Sequence, residues 1–169
     1  SKKTLYQYYS NKKETVEAVI DNYVFEEKND FCCIVEGNGN AIEELLSIYR
    51  NRFKHMKDFN PSVIYDLQRF YGELWRKIEV FKNEFIFKHV CENIDRGIEE
   101  GLYRENLKVQ IIARLYSARL DLMLRGDLFD PAEYSLKEIM EEMFIYHVRG
   151  IASPKGINFL ENQLQSNIL

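Results

Sequence analysis

Residues 1–14 read Ser1-Lys2-Lys3-Thr4-Leu5-Tyr6-Gln7-Tyr8-Tyr9-Ser10-Asn11-Lys12-Lys13-Glu14. Leu5 and Tyr9 lie four apart and so share one face of a helix. Ser10-Asn11 breaks that pattern, and either side chain suits the cap of a following helix with Lys13-Glu14 in its first turn. The segment is a short helix rich in hydroxyls and amides, then a tight turn, then a lysine-bearing helix start. Such hydroxyls and lysines take phosphate oxygens along a nucleic-acid duplex. The free N–H groups of a helix start add an anion site. Residues 1–13 carry four lysines and no acid, so with −4 overall the remainder carries −8. A basic tip on an acidic body confines contact with polyanions to the tip.

Beyond this tip the periodicity is helical. With only three prolines and eight glycines in 169 residues, long helices are permitted almost everywhere. The spacing predicts helices over about 1–9, 12–29, 41–57, 62–71, 73–100, 107–126 and 132–151, with a short terminal helix over 156–165. Phe31-Cys32-Cys33-Ile34-Val35 reads as an apolar connection and Glu36–Asn40 as a loop. The 73–100 helix carries two apolar stripes, Leu74, Ile78, Phe81, Phe85 and Phe87, Val90, Cys91, Ile94, Ile98, which marks a central helix. The fold class is all-α, a multi-helix bundle of about seven helices.

At Ser1, Lys2, Thr4, Leu5, Tyr6, Tyr8, Tyr9, Lys12 and Glu14 the tip resembles the end of the helix-turn-helix of TetR-type (tetracycline-repressor-like) transcriptional regulators. Their recognition helix reads approximately S-K-G-T-L-Y-x-Y-F, followed by a turn, a lysine and an acidic residue. Lys3, Gln7 and Tyr9 are mild departures. The resemblance implies two parts: residues 1–20 as the remnant of a DNA-binding domain whose first two helices precede Ser1, and residues 21–169 as an effector-binding and dimerisation domain. It implies DNA contacts from Lys2, Lys3, Thr4, Tyr6, Tyr8 and Lys12, with Tyr6 and Lys12 on the phosphate backbone and Leu5 and Tyr9 in a small core. It implies operator DNA and a second copy of the chain as partners. A lysine-rich surface loop with packed tyrosines is the competing reading of the tip. A helical interaction or adaptor domain is the competing reading of the whole chain.

The body supplies two further expectations. Tyr49, Phe53, Tyr65, Phe70, Trp75, Phe81, Phe85 and His89 are candidates to line an apolar cavity for a hydrophobic small-molecule effector. Leu115, Leu122, Met140, Met143, Phe144 and His147, on the helices at 107–126 and 132–151, are candidates for a two-fold interface. Arg114, Arg119 and Arg125 would there meet Glu138, Glu141 or Glu142 of a partner.

Other classes find little support. No Gly-rich phosphate loop, GxSxG or HExxH is present, and the acidic pairs Glu99-Glu100 and Glu141-Glu142 point apart on a helix, so neither an enzyme nor a cofactor is expected. His55, His89 and His147 are scattered and no CxxC occurs, so no metal site is expected. Three cysteines, two of them adjacent, make a poor disulfide framework. No apolar run approaches membrane-spanning length, so neither a membrane partner nor a membrane location is expected, and the chain reads as cytoplasmic.

Overall fold

The computed structural model describes residues 4, 7–37, 39–56, 61–125, 128–130 and 132–165, with the side chains of 55, 56, 61 and 120–125 excepted. Helix α1 is Lys12–Val35 and starts at Asn11, whose side chain accepts from the Glu14 N–H at 3.0 Å. Glu14 in turn accepts from the Ser10 N–H at 2.8 Å, which satisfies two of the free donors of a helix start. The expected apolar connection at 31–35 is the last turn of α1 instead. Phe31 is buried in the core, and packing its ring extends the helix past the predicted end.

Helix α2 is Ala41–Met56, capped by Asn40, whose side chain accepts from Ile42 and Glu43 N–H. Its inner face, Ala41, Ile42, Leu45, Leu46, Ile48 and Tyr49, is buried in the core. Helix α3 is the short Pro61–Phe70. The long helix foreseen at 73–100 is present, in three continuous stretches: α4 (Gly72–Val80), a π-helical segment (Phe81–Ile86) and α5 (Phe87–Glu99). Gly101, at φ +70°, ends it in the left-handed conformation that a side chain disfavours.

Gly97 is required for a second reason, because a Cβ there would meet the Tyr103 ring at 2.1 Å. Tyr103 is buried over this glycine and its hydroxyl donates to Asn93 Oδ1 at 3.1 Å. Asn93 donates to the Ala41 carbonyl at 3.0 Å and to Glu44 at 2.8 Å, and Arg96 closes the set on Glu44 at 2.7 Å. This buried network fixes α2 against α5. It is a costly arrangement in which the buried groups find partners except Arg96 Nε, which lies 3.6 Å from the Glu100 carboxylate without a hydrogen bond.

Helix α6 is Val109–Arg125, α7 is Leu136–Ile151 and α8 is Pro154–Gln165. Helix α7 begins at Leu136 rather than 132 because Ser135 and Glu138 form a reciprocal capping box. Tyr103 and Ala152 form an isolated antiparallel bridge. No strand is assigned among the described residues, so the all-α class holds.

Candidate functional site

The basic tip joins the body through α1. Thr4, Tyr8 and Lys12 are exposed; Lys2, Lys3 and Tyr6 lie outside the described residues. Lys13 reaches Glu73 at 2.9 Å, and Lys77 reaches Glu17 at 2.9 Å and Asp21 at 2.7 Å. The hydrogen bond and charge of Glu73 raise the Lys13 ammonium above its ordinary value, and Lys13 lowers Glu73 in return. These pairs tie the first three turns of α1 to α4, so a shift of one helix reaches the other. They are exposed and screened by salt, and each contributes little to stability.

The eight candidate cavity residues do not surround one space. Tyr65 and Phe70 are 58% and 64% exposed, with the Arg69 guanidinium against both rings. Phe85 packs on Phe31, Phe81 and His89, and His89 also on Phe31, with ring centroids 4.4–5.6 Å apart. Trp75 is half-buried on α4, and Phe53 is half-buried against the core. Tyr49 alone of the eight lines the cavity that is found. Rings on one sequence stripe fill their own space.

The cavity lies between α2, α6 and α7 and has a volume of about 40 Å³. Leu45, Ile48, Tyr49 and Arg52 line it from α2, Tyr116 and Arg119 from α6, and Met140, Met143, Phe144 and His147 from α7. The Arg52 guanidinium is paired with buried Glu27. Arg119 lies 4.0 Å from the centre of the Tyr116 ring and donates to the Met143 carbonyl at 2.8 Å. Burial, and then the nearby Arg119 charge, hold the His147 imidazole down to about 3, so it is neutral at physiological pH. Burial, and then the charge of Glu141, raise the Tyr49 hydroxyl. At neutral pH the site is a largely apolar chamber with neutral donors and two guanidinium groups at its wall, that of Arg52 paired with Glu27.

The interface candidates lie in different surroundings. Met140 and Phe144 are 6% and 3% exposed and belong to the chain's own core. Met143 and His147 face the cavity. Leu115 is 62% exposed, joined on the outer faces by Ile111 and Tyr146; the Leu122 side chain lies outside the described residues. Helix α7 buries its apolar stripe against α2, so the opposite side is the exposed one. Arg114 and Arg119 rest on the Phe87 and Tyr116 rings of their own chain.

Arg52 was not foreseen as a site residue, and Arg119 was expected at an interface rather than at a cavity. A signal existed for Arg52: it continues the apolar series Leu45, Ile48, Tyr49 at helical spacing, and a cation in such a stripe faces inward. Among the described residues no cluster of three His, Cys, Asp or Glu suits a metal ion, and no helix is long and apolar enough to cross a membrane. Cys32 and Cys33 are exposed and Cys91 is half-buried, all as free thiols.

The described residues form an all-helical body behind a basic N-terminal segment. No family model matches the chain. It is 29% identical over 161 residues to an uncharacterized HTH-type transcriptional regulator, YvaF, of Bacillus subtilis (strain 168), covering 90% of this chain and 80% of that one. Its fold matches that of the ketosteroid transcriptional regulator KstR2 of Mycobacterium tuberculosis, with a TM-score of 0.69 and 18% identity over 89% of this chain and 78% of that one.

Proposed function

We propose that the protein is a DNA-binding transcriptional regulator, in which a helical body dimerises and binds a small effector. The observation that carries this reading is the similarity over nine-tenths of the chain to a helix-turn-helix regulator. The basic tip supports it. Residues 1–20 would belong to the DNA-binding domain and 21–169 to the effector and dimerisation domain. Lys2, Lys3, Thr4, Tyr6, Tyr8 and Lys12 would meet DNA. The exposed Ile111, Leu115 and Tyr146 supply apolar surface for a two-fold interface of α6 and α7. The ion pairs between α1 and α4 offer a route by which a change in the body shifts the tip.

The test is selection of bound duplexes from a random pool by the full-length protein. A palindromic site should emerge, with affinity falling steeply as salt rises because lysine–phosphate contacts release counterions. Lys12→Ala should weaken binding to all sequences alike. Sedimentation should show a dimer that Leu115→Glu converts to monomer. Enrichment of no sequence would sink the regulator reading.

A further inference from the structure

We propose that the cavity between α2, α6 and α7 takes a small organic anion, a monocarboxylate whose charge faces Arg119 and whose carbon chain lies against Leu45, Ile48, Met140 and Phe144. This deepens the effector-binding part of the reading above and rests on it.

Charge decides the class of ligand. Arg119 meets a backbone carbonyl and the face of a tyrosine ring, both neutral, and among the described residues it pairs with no carboxylate. Arg52, on the opposite helix, is already neutralised by Glu27. A neutral ligand filling the chamber would strip water from Arg119 and give it no counter-charge, which is costly. A cationic ligand would be repelled. A carboxylate accepts from the guanidinium in a charge-assisted geometry. His147, neutral beside it, and the hydroxyl of Tyr49 are additional donors rather than competing charges. The charge of Glu141 acts on Tyr49, which opposes an anion at that end and favours the carboxylate at the Arg119 end.

Size decides the member of the class. A buried water occupies about 10–15 Å³ on the same measure, so roughly three or four atoms fit in the cavity as it stands. Met140 and Met143 are unbranched and can swing aside, which admits a few atoms more. Propionate and butyrate are the acids of that size.

The experiment titrates the chain with propionate, butyrate, the isosteric propionamide and butyramide, and butylammonium at constant ionic strength. Binding is read by ligand-observed NMR and by thermal shift. The acids should bind saturably and raise Tm, the amides should bind about tenfold or more weakly, and the ammonium ion should not bind. Arg119→Gln should weaken the acids by about tenfold or more, and Arg119→Lys by less. Where Arg119→Gln fails to fold, Met143→Phe keeps the arginine and blocks the chamber, and it should abolish binding. Equal binding of acid and amide, no saturable binding of either acid, or unchanged binding by a folded Arg119→Gln or Met143→Phe would overturn the assignment. Operator binding by the full-length protein is measured separately. Acids bound by a protein with no operator preference remove the regulator reading and leave the site. Operator binding without acid binding does the reverse.

Discussion

Phe31, Phe81, Phe85 and His89 form one connected group through Phe85, whereas Tyr49, Tyr116, Phe144 and His147 form two separate pairs beside a cavity of about 40 Å³. Both groups carry four rings, so the number of rings does not make the space. In the first group three of the rings come from one helix at spacings of four. Phe81 and Phe85 lie in the π-helical segment and stack at 5.4 Å and 20°. In the second group the rings come from three helices, and helix separation sets their distances. Tyr49 meets Phe144 at 5.1 Å and Tyr116 meets His147 at 4.9 Å, and nothing in the backbone brings the two pairs together.

The strongest way to break this comparison is Phe85→Ala. It removes the ring that touches Phe31, Phe81 and His89 and should cost about 3 kcal/mol by denaturant unfolding. A loss below about 1 kcal/mol means that the cluster is not closed. Next comes pH. His147 has a folded pKa of about 3, below its unfolded value near 6.5, so between these values the unfolded chain binds the extra proton. Its contribution is complete above about pH 6.5 and is lost as pH falls, at roughly 1.4 kcal/mol per unit. His147→Gln should flatten the stability profile between about pH 6.5 and 4.5, above most carboxylate titration. An unchanged profile places the histidine in contact with water.

Two enlargements sharpen the contrast further. Phe81→Trp adds volume where rings already touch and should destabilise by about 1–3 kcal/mol. Met143→Phe adds volume where a cavity exists. At about 24 cal/mol per Å³, filling 40 Å³ gains at most about 1 kcal/mol. Thermal melts of the pair should move in opposite directions, and movement in the same direction removes the distinction between the two regions.

Much of the architecture was legible in advance. Helix starts at Asn11, Asn40 and Pro61 carry their own local chemistry, and the glycine at 101 ends the long helix where a positive φ demands it. The extension of α1 to Val35 and the π-helical turn were not legible, because both depend on where the Phe31, Phe81 and Phe85 rings find partners. The tip was read from hydroxyls and lysines at fixed spacing. Of the ligand candidates only Tyr49 reached the cavity, and of the interface candidates Met140 and Phe144 proved to be core.

The sequence by itself determined the helices, their caps and the basic tip, since each follows from residues within a turn or two of one another. Only the tertiary structure decided which faces meet. Arg52, Arg119 and His147 are far apart in the chain and converge because α2, α6 and α7 pack together. A cavity is the volume that such packing leaves unfilled. It depends on the separation and rotation of whole helices, which no local spacing of residues encodes.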